Sequence, residues 1–131
     1  MKIAGTDFEL CDPKALWGRV VNRVALTASP LYVLDRAFDA VHNDDAVALG
    51  CQDGLVIMTL LAHSDGTITA MVLLAVSFGD AGAFKRQEAA MVEVAKAAGA
   101  SRMAFRTDRR GWIRLLGPAW RLDGETFSRS V

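Results

Sequence analysis

Two long apolar runs joined by a short turn constrain the fold of this chain more than any other feature. The segments GLVIMTLLAH (54–63) and TITAMVLLAVSF (67–78) flank Ser64-Asp65-Gly66, a turn sequence that favours a β-hairpin. Neither run alternates apolar with polar residues, as a strand with one solvated face would. We therefore expect both faces of the hairpin to be covered, and a central mixed sheet with helices on both faces meets that requirement.

Helical periodicity precedes the hairpin. Asp12 and Pro13 are typical of a helix N-terminus, and Ser29 and Pro30 repeat the signal. Apolar residues recur at helical spacing after each start, which predicts two consecutive helices over about residues 13–43. The short segment AVALGC (46–51) lies between aspartate-containing turns and predicts a strand.

The second half of the chain predicts a further helix and three strands. Asp80 is a suitable N-cap and Gly99 a suitable C′ residue for a helix whose apolar face comprises Phe84, Met91, Val94, Ala95 and Ala98. A strand (101–107), a short helix (109–117) and two strands joined at Asp123-Gly124 follow. The predicted order is ααβββαβαββ, an α/β fold (α+β, mixed sheet) in one domain, residues 1–131.

Composition places the chain among globular proteins. Hydrophobic residues make up 52% of its 131 residues and charged residues 23%. The longest apolar run is too short to cross a bilayer, and the N-terminal segment carries no signal-peptide core. We therefore expect an intracellular protein that does not associate with a membrane. Cys11 and Cys51 are expected to be reduced thiols, and neither they nor His42 and His63 have the spacing of a metal site.

Charge is unevenly distributed although the net charge is zero. Residues 1–99 contain eight Lys/Arg and twelve Asp/Glu, whereas residues 100–131 contain seven arginines and three acidic residues. Such a basic end can attract phosphates or an acidic protein surface, and it can equally be a solvated or carboxylate-paired face. Nucleic acid is not an expected partner, because the net charge is zero and no nucleic-acid reading motif is present.

One segment carries a resemblance to a known family. The stretch EVAKAAGASRMAFRTDRRGWIRLL (93–116), together with the predicted element order, resembles the GNAT superfamily of N-acetyltransferases. More narrowly, the chain resembles small GNAT-like proteins encoded in tailed-phage and prophage genomes, whose Arg-Gly-Trp block is matched by Arg110, Gly111, Trp112 and Arg114. The order covers nearly the whole chain and the motif its last third. The Gly-aromatic pair of the phage proteins is matched incompletely, by Trp120 with a displaced Gly117.

The resemblance implies an acetyl-CoA loop at the start of the long helix, of the form Gln/Arg-x-x-Gly-x-Gly/Ala, whose backbone amides cradle the pyrophosphate. The chain has FGDAGAFKRQEAAM (78–91) there, with glycines but without the required spacing. Asp80 adds a negative charge that nearby cations would offset. If acetyl-CoA binds, the candidate cofactor-binding residues are Gly79, Gly82, Lys85 and Arg86.

The catalytic groups that the resemblance implies have no counterpart. The superfamily tends to use a glutamate base near the central strands and a tyrosine acid on its last helix. Residues 67–78 contain no carboxylate that could act as the base. The only tyrosine of the sequence, Tyr32, lies in the second predicted helix, and the position expected for the tyrosine acid is occupied by Leu115 or Leu116. No catalytic residue is therefore predicted.

The arginine-rich block at 109–114 is the candidate interaction site. Arginine at the start of a helix is unfavourable to the helix dipole, which suggests a compensating anion or protein partner for Arg109, Arg110 and Arg114, with Trp112 beside them. The alternative is that Trp112 packs in the core and the arginines pair with nearby acids such as Asp108.

Two functions remain open from the sequence. The first is a catalytically degenerate GNAT-like protein without a cofactor, acting through a protein partner or self-association as a virion or ejection component or as a host-directed effector. It would reside in the cytoplasm of the bacterial host or in the phage particle. The alternative is an active acetyl-CoA-dependent N-acyltransferase with a divergent pyrophosphate loop.

Overall fold

The computed structural model describes residues 2–16, 20, 31–78, 81–106 and 116–131. These residues form an α+β fold with one sheet and two α-helices. The strands are β1 (Glu9–Leu10), β2 (Val47–Cys51), β3 (Gly54–Ala62), β4 (Ile68–Ser77), β5 (Arg102–Arg106), β6 (Arg121–Asp123) and β7 (Thr126–Ser130). The helices are α1 (Leu31–His42) and α2 (Ala81–Ala97), and a 3₁₀ turn spans Pro13–Leu16.

The sheet has seven strands in the order β1-β2-β3-β4-β5-β7-β6. Every neighbouring pair is antiparallel except β4 and β5, which are parallel. Helix α2 connects this parallel pair, as expected because two parallel strands need a long crossover. The predicted mixed sheet is confirmed.

Both faces of β3 are buried over its first five residues, as the unbroken apolar run predicts, whereas Leu60 and Leu61 near the hairpin turn are exposed. Leu55 and Ile57 of β3 lie in one apolar cluster with Ala37 of α1. Val56 and Met58 point the other way and lie in a second cluster with Met91 of α2. We call these two sides of the sheet the α1 face and the α2 face.

A bulge in β4 reverses the alternation of its side chains. Ile57 pairs with Leu74 whereas the next residue, Met58, pairs with Val72, so Leu73 is the extra residue. Val72 therefore lies on the α2 face before the bulge and Ala75 after it. This shift also places Ser77 on the α2 face, where it meets α2.

The signals for the hairpin turn and for the end of α2 are confirmed, whereas the predicted caps Ser29 and Asp80 lie outside the described residues. The hairpin turn contains Gly66 at φ 88°, and the Asp65 carboxylate accepts hydrogen bonds from the amide and hydroxyl of Thr67. Gly99 has φ 86°, and the amides of Gly99 and Ala100 donate to the carbonyls of Lys96 and Ala95, a Schellman motif that ends α2.

The N-terminal region corrects the predicted order. Strand β1 was not predicted, because its two exposed residues carry no periodicity and only pairing with β2 defines them. The predicted first helix begins as a 3₁₀ turn, and most of its remainder falls outside the described residues, apart from the buried Val20. The predicted short helix also falls largely outside them. No helix of the described residues combines the length and apolarity needed to cross a bilayer.

Candidate functional site

The first turns of α2 carry three of the four predicted cofactor-binding residues. Gly82, Lys85 and Arg86 are exposed there, whereas Gly79 lies outside the described residues. The two cations point to different neighbours, and each is engaged with a carboxylate of the same chain.

Arg86 forms a bidentate ion pair with Asp53, in the turn between β2 and β3. Its Nε lies 3.0 Å from Oδ2 and its Nη2 lies 2.8 Å from Oδ1. Hydrogen bonds from the guanidinium, aided by its charge, lower the pKa of Asp53. This paired geometry fixes the planar guanidinium more firmly than a single contact would.

Lys85 approaches a buried carboxylate one turn further along α2. Its Nζ lies 3.6 Å from Oε2 of Glu88, whose exposed fraction is only 7%. Two groups from the end of the chain reach the other oxygen: Trp120 donates from Nε1 at 2.7 Å and Arg129 from Nη1 at 3.4 Å. Two N–H donors from the end of the chain and one lysine of α2 therefore surround this carboxylate.

Aromatic rings form a cluster beside Glu88. Trp120 meets Phe105 edge to face with centroids 5.3 Å apart, and Phe105 stacks on Phe127 at the same separation. The guanidinium of Arg129 lies 6.0 Å from the Trp120 ring. The cluster joins α2, β5 and β7 into one packed unit.

A second buried polar side chain of α2 contacts the central hairpin. The Ser77 hydroxyl donates to Oε1 of Gln87 at 2.8 Å, and Nε2 of Gln87 lies 3.3 Å from the carbonyl oxygens of Leu55 and Val76. Gln87 is 1% exposed, so its hydrogen bonds replace those that water would supply. Its role is structural, because each of its polar atoms has a partner within the fold.

The parallel strands separate close to the bulge. β4 and β5 pair only over Thr69–Met71 and Arg102–Ala104, and β4 continues to Ser77 without pairing to β5. Helix α2 follows the carboxyl end of β4 after a short connection. In open sheets, ligands commonly bind outside the carboxyl ends of parallel strands. This is the place where a cofactor of the fold predicted by the resemblance would be sought.

The predicted interaction site falls on a segment that the structure does not describe. Arg109, Arg110, Trp112 and Arg114 lie outside the described residues. Their roles, and that of Gly79, stay predictions.

Three other arginines of the basic end, Arg102, Arg106 and Arg121, are exposed on strands. Arg129 differs from them because it pairs with Glu88.

The cysteines and histidines occupy local structural positions. Cys11 and Cys51 are unbridged and half-buried, and burial followed by the neighbouring Asp12 raises the pKa of the Cys11 thiol. His42 ends α1, and Nε2 of His63 lies 2.8 Å from the Thr69 hydroxyl beside the hairpin turn. Among the described residues, no three His, Cys, Asp or Glu side chains are grouped to hold a metal ion.

The buried Glu88 was missed by the sequence analysis, although a signal was present. Phe84, Glu88, Met91 and Ala95 follow one another at helical spacing, so the glutamate occupies the apolar face of α2. The predicted last member of that face, Ala98, is exposed and follows the end of the helix, which corrects the prediction. The partners of Glu88, Trp120 and Arg129, could not be predicted, because they are distant from it in the sequence.

Comparison with known proteins leaves the residues themselves as the basis for a function. No protein-family model matches the chain, and no curated protein is significantly similar to it.

Proposed function

We propose that the chain is a GNAT-like protein, of the kind encoded by tailed phages and prophages, that acts through protein contacts and not through acetyl transfer. In this role it is a virion or ejection component, or an effector directed at a host protein. It acts in the cytoplasm of the bacterial host or within the phage particle. The proposal rests on the resemblance in residues 93–116 and on the contacts of α2.

The bidentate pair of Arg86 with Asp53 is the observation that carries the proposal. A pyrophosphate bound at the start of α2 would need cations to balance its charge, beyond what backbone amides supply. Arg86 is already balanced by Asp53 at 2.8 and 3.0 Å, and Lys85 lies 3.6 Å from Glu88. Recruiting Arg86 would take its ion-pair partner from Asp53, and recruiting Lys85 would remove one of the three groups that contact Glu88.

The surroundings of Glu88 support the same proposal. A general base must be able to take up a proton from its substrate. The hydrogen bonds and ion pairs of Glu88 with Trp120, Arg129 and Lys85 engage both carboxylate oxygens within the fold and hold the side chain between packed elements. The arrangement is suited to joining α2 to the end of the chain.

One observation favours the alternative, an acetyl-CoA-dependent N-acyltransferase with a divergent loop. The pairing of β4 with β5 ends at Met71 and Ala104, and the carboxyl ends of two parallel strands that separate are a common ligand position. In this alternative, Arg86 would exchange Asp53 for a phosphate when the cofactor binds.

Thermal unfolding with and without excess acetyl-CoA tests the two functions. A ligand at a hundred times its dissociation constant adds about 2.7 kcal/mol of stability, which raises Tm by about 10 °C in a domain of this size. We expect Tm to stay unchanged at millimolar acetyl-CoA. A saturable rise would overturn the proposal in favour of the acyltransferase.

Two matched variants separate cofactor binding from stability. Arg86→Gln and Asp53→Asn both break the ion pair, and they should lower Tm by similar amounts without conferring any response to acetyl-CoA. If Arg86 holds the cofactor, Asp53→Asn would instead retain or enhance the acetyl-CoA response, because it releases the guanidinium, and Arg86→Gln would abolish it.

A further inference from the structure

Three arginines share one region of the α1 face. Across β5, β7 and β6, Ala104 pairs with Ser128 and Ser128 pairs with Arg121, so the three residues lie on the same face. Met103 lies on the α2 face, which places its neighbours on the opposite side. The resulting arginine surface consists of Arg102, Arg106 and Arg121. The same register places Ala104, Asp123, Thr126, Ser128 and Ser130 among them.

The three arginines of this surface are exposed, whereas Ala104 between them is buried, and three cations face one acidic residue there. Arg102 donates from Nη2 to the Ser128 hydroxyl at 3.0 Å, a neutral partner. Among the described residues, neither Arg106 nor Arg121 forms an ion pair. Asp123, at the end of β6, is the acidic residue on the same stretch of strand as Arg121. Positive charge therefore remains available to a partner.

An acidic surface lies on the same side of the sheet, over β2 and β4. Helix α1 packs on β2 and β4 through a side that includes the buried Ala37. Asp35 and Asp39, one helical turn apart, are exposed on its outer side. Asp44 and Asp45 extend this acidic surface beyond the helix. The described part of the helix carries one exposed arginine, Arg36, so acidic residues predominate on this surface.

We propose that two copies of this chain associate through these surfaces, with α1 of each copy lying over the arginine surface of the other. A two-fold axis that lies parallel to the sheet, between the arginine surface and the acidic surface, places each of these surfaces against the opposite surface of the other copy. The charge contact is therefore made twice. Leu61, 41% exposed on the same face, adds apolar area. This inference deepens the proposed function, since it identifies a protein contact and its partner.

A second copy suits these charges better than a nucleic acid does. The net charge of the chain is zero, and the acidic surface of α1 would repel phosphates that approached the arginine surface. The same acidic surface becomes complementary when it is presented by a second copy. Opposed charges of this kind set the orientation and the rate of association.

Sedimentation velocity over a range of protein concentrations tests the proposal directly. We expect the wild-type chain to form a dimer at low ionic strength and to dissociate as salt screens the exposed charges, over a range from about 0.05 M to about 0.5 M. A chain that stays monomeric at every concentration and ionic strength would overturn the inference. Association that requires added nucleic acid would also overturn it.

A charge exchange makes the test specific. The variant Arg106→Glu/Arg121→Glu and the variant Asp35→Lys/Asp39→Lys should each dimerise at least about tenfold more weakly than wild type, because both contacts become repulsive. An equimolar mixture should form heterodimers, since both contacts are then attractive. Failure of the mixture to associate, with both variants folded by circular dichroism, would contradict the arrangement.

The control changes charge on the other side of the sheet. Lys96 is exposed on α2 and pairs with Glu93, so Lys96→Glu should leave the dimer unchanged. If it weakens dimerisation as much as the arginine variant, the interface lies elsewhere. The acetyl-CoA experiment measures Tm, whereas the dimer experiment measures sedimentation. Failure of the dimer and failure of the proposed function therefore give different results.

Discussion

At the scale of single residues, Gly54 shows how a turn glycine can be required for packing. Asp53-Gly54 carries a turn signal in the sequence, and Asp53 does lie in the turn between β2 and β3. Gly54 itself begins β3, and an added Cβ would overlap the carbonyl oxygen of Val76 and lie 2.7 Å from Nε2 of Gln87. The glycine is needed because another strand and a buried amide approach it.

Gly54→Ala should lower the free energy of unfolding by about 3 kcal/mol, because the backbone of β4 cannot yield without disturbing its pairing. Urea denaturation measures this loss. Gly66→Ala is the control: it has φ 88° and nothing within 4 Å of the added atom, so it should lose only about 1 kcal/mol through backbone conformation. Equal losses would show that packing at Gly54 is unimportant.

At the scale of elements, Glu88 connects α2 to the end of the chain. Trp120 Nε1 at 2.7 Å and Arg129 Nη1 at 3.4 Å both donate to one of its oxygens. Glutamate on an apolar helix face is unfavourable alone and becomes stabilising only with these partners. The packing of α2 on the sheet therefore depends on the last two strands being in place.

Glu88→Ala should lower the free energy of unfolding by about 3 kcal/mol, because it leaves the Trp120 and Arg129 donors partly buried without an acceptor. Glu88→Gln keeps an oxygen for Trp120, so it should lose less, about 1 kcal/mol. The exposed Glu93→Ala on the same helix should lose under about 0.5 kcal/mol. Equal stability of the three variants in urea would refute the structural role of Glu88.

At the scale of the whole molecule, burial on two faces concentrates stability in the central strands. Leu55, Val56 and Ile57 of β3 are fully buried, whereas β1 and β6 at the two edges consist of exposed residues. Local opening needs little energy where few apolar contacts are lost. The sheet should therefore open from its edges.

Native-state hydrogen exchange measures that gradient. We expect the slowest amides, which exchange only on global unfolding, within Leu55–Met58 and the facing part of β4. Amides of Arg121–Asp123 should exchange much faster, because β6 is a short edge strand. Protection of β6 equal to that of β3 at high dilution, where any dimer is absent, would contradict this account.

Several elements have local signals and were predictable from the sequence. Turns at Gly66 and Gly124, the end of α2 at Gly99 and the double burial of the hairpin depend on residues close together in the chain. The helical periodicity of its apolar face also predicted α2, although it did not reveal the glutamate within that face.

The remaining features have no local signal and depend on how distant segments pack in the folded chain. Strand β1, the bulge at Leu73, the partners of Glu88 and the pairing of Arg86 with Asp53 all join distant parts of the chain. The same is true of the arginine surface, which three strands assemble from separate segments. Local sequence patterns report the conformation of a few neighbouring residues, whereas these contacts depend on which strands become neighbours, and that choice minimises the free energy of the whole chain.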